Sequence, residues 1–290
     1  MIESMIKKAV IPAAGLGIRF LPVTKAQPKE MLPIIDKPTI QYVVEEAVDS
    51  GIEDILIIIG KGKRAIEDHF DRNLELELLL ENKNTINLYN DIRRIGDMAN
   101  IHFIRQKEIN GLGDAISYAR QHIGEEPFAV LLGDTLIDSV IPVTQQLIDI
   151  YEQYRQSVVA IEPVSKEKVD RYGIISGDKI SDKIWQVSKI VEKPKTVRSP
   201  SNLAIAGRYI LTPDIFKAIE QTRPNEFNNK ELTDALNILI SRQNMYAYII
   251  EGNRYALDDK IDFLKTTIDL ALKRKEFSSQ IRKYLKEKLK

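Results

Sequence analysis

The chain of 290 residues contains no cysteine, which excludes disulfides, thiolate metal sites and cysteine nucleophiles. Histidine is scarce. His69, His102 and His122 are the three present and lie far apart in sequence, so each is expected to be a surface or packed side chain rather than a metal ligand. Net charge is also absent, because 42 Lys and Arg balance 42 Asp and Glu. No global field therefore draws the chain to nucleic acid or to an acidic membrane. No apolar run reaches the length of a membrane span, and the N-terminus lacks a secretory core followed by a cleavage site. A cytoplasmic protein without membrane or nucleic-acid partners is expected. A chain this long can bury enough surface to fold without a disulfide or structural metal.

What is present is concentrated in one stretch, Ile11 to Pro33. It begins where the apolar run Ala9-Val10-Ile11 ends, so it reads as the loop leaving a short buried strand. Gly15 and Gly17 permit a bend through which another molecule can approach the main chain, and successive N–H groups in such a bend can converge on phosphate oxygens. Arg19, Lys25 and Lys29 follow, with the carboxylate of Glu30 among them. Pro22, Pro28, Pro33 and Pro38 predict a stiff, non-helical segment, and a loop this long inside a compact domain is usually functional. The P-loop string is missing, and Phe20 holds the third glycine position of a dinucleotide-binding turn. Two glycines alone are equally consistent with an ordinary tight turn. The basic residues on a proline-stiffened loop favour a phosphate site.

Periodicity predicts an α/β fold. Ile40, Val43, Val44, Ala47 and Val48 fall at helical spacing between Pro38 and Gly51. Leu56 to Ile59 reads as a buried strand, a helix carries Ala65, Ile66 and Phe70, and residues 74–98 read as two inserted helices. Ile101 to Arg105 is a strand, a helix carries Ala115, Ile116, Ala119 and Ile123, and Phe128 to Leu132 is a central strand. This alternation is the sign of a parallel sheet with crossovers on its faces. The central strand ends at Gly133-Asp134, at the carboxyl end where open α/β sheets bind ligands. The second half changes character: Ile174-Ile175 and Ile184 to Val191 alternate as antiparallel pieces. Strands at Val158–Val164, Ala204–Leu211 and Tyr246–Ile250 accompany a short helix opened by Pro213. Leu232, Leu236 and Leu239 line one helix, Ile261, Leu264 and Ile268 the next, and Phe277, Ile281 and Tyr284 the last. The expected architecture is one Rossmann-like domain over 1–290: a central mixed, mostly parallel sheet flanked by helices, with a smaller antiparallel sheet. Its parts are a half at 1–140, a second half at 141–272 and a C-terminal helix at 273–290. From Lys273 to Lys290 there are eight basic and two acidic residues, read as a solvated helix face carrying a packing or oligomer stripe.

Specific strings carry a resemblance. The stretch from Ile11 to Pro33, and within it Thr24-Lys-Ala-Gln-Pro-Lys-Glu-Met-Leu-Pro33, resembles the signature loop of the sugar-1-phosphate nucleotidyltransferases. The Thr24–Pro33 portion is similar to the bacterial UTP–glucose-1-phosphate uridylyltransferases. Lys37-Pro-Thr-Ile-Gln-Tyr42, Arg105-Gln-Lys-Glu108, Gly111-Leu-Gly113, Leu131-Leu-Gly-Asp134, Tyr172-Gly173, Val191-Glu-Lys-Pro194, Gly207-Arg-Tyr209 and Leu232-Thr-Asp-Ala235 follow in the same order. The resemblance implies transfer of a uridylyl group from UTP to glucose 1-phosphate, giving UDP-glucose and pyrophosphate, with Mg²⁺ and a homodimer or higher homo-oligomer. Such chemistry is a matter of positioning and charge rather than of acid–base catalysis. Arg19 and Lys25 are placed to face the triphosphate, the arginine with forked donors and the lysine as a point charge. Surface ion pairs are the plain alternative for both. Asp134 is the metal candidate, since magnesium needs one or two carboxylates once phosphates supply the rest; a turn or cap aspartate is its alternative. By resemblance alone, Lys193 contacts the sugar phosphate and Glu192 accepts from glucose hydroxyls. Gln106 and Gly111 read uracil, and Ala13, Ala14, Gly15 and Gly173 offer backbone contacts. Gly17 and Glu30 complete the nucleotide-side set.

Four departures gather around this expected site. Ile18 replaces the usual threonine of Gly-Leu-Gly-Thr-Arg, Thr135 replaces the second aspartate of Gly-Asp-Asp, and Asn229 stands where a sugar-side glutamate is expected. In Arg254-Tyr-Ala-Leu-Asp-Asp-Lys260, Ala256 occupies the place of the family's second metal-binding aspartate, leaving Asp258 or Asp259 as substitutes. These changes leave a second expectation open: a catalytically impaired paralogue that binds UTP or UDP-glucose as a sensor or oligomer partner.

Overall fold

The computed structural model describes residues 5–83, 85–257 and 259–288. The strands are β1 (Lys8–Ala13), β2 (Pro33–Ile34), β3 (Lys37–Pro38), β4 (Asp54–Ile59), β5 (Asn100–Arg105), β6 (Phe128–Leu131), β7 (Thr135–Asp138), β8 (Val158–Pro163), β9 (Gly173–Lys179), β10 (Ile184–Glu192), β11 (Leu203–Leu211), β12 (Tyr246–Ile249) and β13 (Asn253–Ala256). The helices are α1 (Thr39–Asp49), α2 (Arg64–Phe70), α3 (Leu74–Asn82), α4 (Ile86–Asp97), α5 (Leu112–Ser117), α6 (Arg120–Ile123), α7 (Val143–Tyr154), α8 (Asp214–Gln221), α9 (Leu232–Ile240), α10 (Lys260–Lys273) and α11 (Lys275–Lys288).

One nine-stranded sheet runs in the order β5-β4-β1-β6-β11-β8-β12-β10-β9. Its first four strands are parallel. β11 then enters antiparallel between β6 and β8. The alternating pieces of the second half, β9 and β10, pair antiparallel at the far edge of the same sheet. Two short antiparallel ladders stand apart, β2 with β3 and β7 with β13.

Alternation along each strand sends successive side chains to opposite faces, and both faces are covered. Val10, Leu56, Ile58 and Val130 face the side packed by α5, α6, α8 and α9. Ala9, Ile11, Ile55, Ile57 and Ala129 face the side packed by α1, α2 and α7. A strand buried on both faces must be apolar throughout, which is why Ile55-Leu-Ile-Ile-Ile59 reads as an unbroken run. In α1, Ile40, Val43, Val44 and Ala47 form the buried stripe, and Gly51 ends it at φ 81°. The helix expected over 115–123 is instead broken into α5 and α6, with Tyr118 and Ala119 between them.

Candidate active site

The loop leaving β1 forms one wall of a cleft. Gly17 has φ 67°, a left-handed conformation costly for other residues, and a Cβ there would lie 3.0 Å from Lys29 Cβ and Thr24 Cγ2. Thr24 Oγ1 donates to the Gly17 carbonyl at 2.8 Å, closing the bend. The stretch behind it departs from the non-helical rod that its prolines predict. Single 3-10 turns occur at Ile18–Phe20, Val23–Lys25 and Lys29–Met31. Pro22 and Pro28 stand just before the second and third turns, where the missing N–H costs nothing. Phe20 meets Phe263 of α10 edge-on with ring centres 5.7 Å apart, so the C-terminal region buttresses the loop.

Asp134 leaves the carboxyl end of β6, and Lys29 Nζ donates to its Oδ2 at 2.5 Å. The two side chains are 32% and 21% exposed, so the pair opens onto the cleft. Burial acts to raise the Asp134 pKa, but the Lys29 ammonium and its hydrogen bond prevail and hold the carboxyl below its ordinary 3.8. Asp134 is therefore ionised at neutral pH. Below it lies Arg208 of β11, whose side chain is 1% exposed. Its Nη2 donates to the Thr135 carbonyl at 2.8 Å and its Nη1 to the Gly207 carbonyl at 3.1 Å. The same guanidinium grips Glu46 of α1 with donor distances of 2.7–3.1 Å. Glu46 also accepts from the Thr144 amide and hydroxyl. A buried fork thus ties α1, α7 and β11 to the turn that presents Asp134.

Two adjoining cavities, about 360 and 280 Å³, share Arg19 and Asp134 in their linings. Gly15, Gly17 and Lys29 line the larger. Gly173, Glu192, Lys193, Tyr209, Glu231 and Thr233 line the smaller. There Thr233 Oγ1 donates to Glu192 Oε2 at 2.7 Å, and a Cβ on Gly173 would stand 3.3 Å from the same oxygen. Lys193 holds φ 42°, while its N–H donates to the Tyr172 carbonyl at 3.0 Å. Burial raises the Glu231 pKa, and the nearby Glu192 adds to the rise. The smaller cavity therefore offers several carboxylate and hydroxyl groups within one small space. A third cavity of about 470 Å³ lies beyond Arg171, Tyr172 and Arg254, and residues of α10 line it.

The fold thus brings Gly15, Gly17, Arg19, Asp134, Gly173, Glu192 and Lys193 to one cleft. Other expected residues lie outside both linings. Lys25 is exposed on its 3-10 turn. Ala13 and Ala14 are buried at the end of β1. Gln106 is buried and donates its amide to Asp114 at 2.7 Å. Glu30 is 1% exposed and pairs with Lys63 at 2.6 Å; burial pushes the glutamate pKa up and that of the lysine down, each opposed by the other's charge. Gly111 has φ 94°, and any Cβ there would lie 2.6 Å from the Lys230 carbonyl; the neighbouring Gly113 amide donates to that carbonyl at 2.9 Å. Sequence reasoning counted Lys29 among the loop's basic residues without pairing it to Asp134, and it assigned no role to Glu46, Arg208, Glu231 or Thr233. Lys29, Arg208 and Thr233 do stand within the quoted strings.

The sequence pattern of the Nucleotidyl transferase family matches residues 8–258. The chain belongs to that family. Among its relatives, a UTP–glucose-1-phosphate uridylyltransferase of Staphylococcus epidermidis is 53% identical over 97% of this chain and 98% of its own. One of Staphylococcus haemolyticus is 52% identical over the same shares. Among solved structures, a UDP-glucose pyrophosphorylase complexed with UDP-glucose superposes with a TM-score of 0.86 at 42% identity, covering 93% of this chain and 100% of that one. A UTP-bound UGPase from Acinetobacter baumannii gives a TM-score of 0.90 at 36% identity, covering 97% and 99%. The resemblance read from the strings is borne out, as is the mixed helix-flanked sheet.

The departures can now be placed on the transferase. Ile18 is exposed beside the larger cavity. Thr135 is buried, with its carbonyl taken by Arg208. Asn229 belongs to a turn in which Asn225 Oδ1 accepts its N–H at 3.0 Å, and it lies outside both linings. Ala256 pairs with Thr135 across the β7–β13 ladder, next in register to Asp134. Asp259 caps α10 by accepting from the Ile261 and Asp262 amides at 3.0 and 2.9 Å, and it also accepts from Arg171. Its carboxylate is committed to that helix end. Asp258 lies outside the described residues.

Proposed function

We propose that this nucleotidyl transferase moves the uridylyl group of UTP to glucose 1-phosphate, releasing pyrophosphate and forming UDP-glucose. The observation that carries this is the paired cavity hinged on Arg19 and Asp134, with a glycine loop and Lys29 on one side and Glu192, Lys193, Glu231 and Thr233 on the other. The high identity to curated uridylyltransferases over nearly the whole chain selects the substrates.

The phosphate of glucose 1-phosphate is already mostly dianionic near neutrality and needs no general base. Its oxygen attacks the α-phosphorus of UTP as the bond to the bridging β-phosphate oxygen breaks, and pyrophosphate departs with that electron pair. Two polyanions must be brought together, so the task is one of cations and alignment. Arg19, at the junction of the cavities, is assigned to the triphosphate; Lys193 is assigned to the sugar phosphate and α-phosphate. Glu192, oriented by Thr233, is assigned to the glucose hydroxyls. Lys25, exposed on its turn, serves as a mobile cation that approaches the phosphates as substrate enters.

The donor set at Asp134 suits magnesium. It is a hard, ionised oxygen ligand that is open to the cleft, and substrate phosphates would complete the shell. When bound, the ion supplies charge neutralisation on the phosphates. Lys29 holds the same carboxylate ionised through its ion pair. Gln106, Gly111, Ala13 and Ala14 are proposed to shape the nucleoside floor from beneath, and Glu30 to hold the loop through Lys63.

The test is pyrophosphate release from purified protein with UTP, glucose 1-phosphate and magnesium. Asp134→Ala should lower turnover by about 10²-fold or more, the loss typical when one charge-stabilising group is removed. UDP-glucose binding without pyrophosphate release would overturn the assignment in favour of a sensor. Replacing UTP by dTTP tests the base. No helix among the described residues is long and apolar enough to cross a membrane, and action in the cytoplasm, where UTP is abundant, is part of the proposal. So is self-association through α10, whose Ile261, Leu264 and Ile268 stand exposed.

A further inference from the structure

His102 and His122, twenty residues apart in sequence, meet away from the cleft. Asp54 opens β4, His102 lies on the adjacent β5, and His122 lies on α6, which packs over that face. The ligand-type atoms of all three side chains lie within 4.8 Å of one another. His122 Nε2 is 2.8 Å from Asp54 Oδ1, and His102 Nε2 is 3.7 Å from the same oxygen. The two imidazole rings are 5.0 Å apart at their centres.

We propose that Asp54, His102 and His122 form a binding site for a divalent transition metal of the zinc type, separate from the magnesium chemistry of the cleft. The two imidazoles are borderline donors that favour Zn²⁺, Ni²⁺ or Cu²⁺ over Mg²⁺, and a carboxylate is a common third ligand to zinc. In a tetrahedral zinc site with bonds of about 2.0–2.1 Å, neighbouring ligand atoms stand about 3.3 Å apart. The two measured separations from Asp54 bracket that value, so rotation of side chains suffices. His102 is 54% exposed, which gives an ion an entry path and leaves a coordination position for water. Lys8, paired in register with Asp54, turns its ammonium instead to Glu126 and to the His122 and Ile123 carbonyls. It braces the histidine's helix without capping the carboxylate. An ion here would join β4, β5 and α6, a staple that binds the folded chain alone and stabilises it by mass action.

Titration of the chelator-stripped full chain with ZnCl₂, by calorimetry and by thermal unfolding, tests the site. One equivalent should bind and raise Tm. His102→Ala and His122→Gln should each weaken binding by at least the roughly tenfold that loss of even an outer-shell partner costs. Asp134→Ala should leave it unchanged. No binding, binding indifferent to both histidine variants, or binding lost only in Asp134→Ala would overturn the proposal.

Discussion

Asp134 shows how one lysine keeps a carboxylate ionised at the cleft. Its folded pKa lies below the ordinary 3.8 because Lys29 outweighs the cost of burial. A depressed carboxyl stabilises the fold above its unfolded pKa, and this contribution disappears as pH falls through the folded value. Asp134→Asn should therefore lower stability at neutral pH by roughly 1 kcal/mol or less, given the partial exposure of the pair. The gap in Tm between wild type and variant should close as pH is taken below 3.8; a gap that widens towards acid would contradict the assignment. Position 256 offers a complementary probe. It stands across from Thr135 in the ladder, so Ala256→Asp would introduce a second carboxylate one residue from Asp134. The expected result is a several-fold lower magnesium concentration for half-maximal pyrophosphate release, because a second carboxylate shares the cation. An unchanged magnesium dependence would show that the register alone does not bring a ligand to the ion.

Two elements hold the site in place. β11 is buried along its whole length, and Arg208 is the charge it carries inward. Removing one member of a buried ion pair strands the other. Arg208→Ala should thus cost about 3–5 kcal/mol in chemical denaturation, and adding Glu46→Leu should recover part of the loss. If the double variant were as unstable as the sum of the single ones, the pair would not be acting as a unit. At the start of α9, Thr233 orients Glu192 through one hydrogen bond. Thr233→Val should weaken this by about 1 kcal/mol, which corresponds to roughly a fivefold rise in KM for glucose 1-phosphate. The KM for UTP should stay the same, so an equal rise for both substrates would argue for a general loosening of the cleft.

Across the whole molecule, contiguous signals were legible and distant ones were not. The run Ile55 to Ile59, the stripe of α1 and the loop at Gly15 to Lys29 each announce themselves within a few residues, because strand burial, helix period and turn chemistry are local. The Arg208–Glu46 pair spans 162 positions, and the Asp54, His102 and His122 cluster exists only because β4, β5 and α6 are packed together. Nothing in the sequence could place either. The breaking of the helix near Tyr118 and the 3-10 turns after Gly17 are set by tertiary fit rather than by composition. α10 shows the same limit: its 3.6-residue stripe is plain, but the stripe's destination is not. Phe263, Thr266 and Ala271 turn inward, with Phe263 against the glycine loop, whereas Ile261 and Leu264 remain 59% and 57% exposed. Apolar residues left outward at helical spacing suit burial against a second copy. Leu264→Asp should then convert a dimer to a monomer in light scattering after gel filtration, with far-UV circular dichroism unchanged. Because the same helix backs Phe20, the monomer should also lose part of its uridylyl transfer. A wild-type chain that runs as a monomer at micromolar concentration would rule out this face as an interface, leaving the stripe as exposed apolar surface beside the loop it supports.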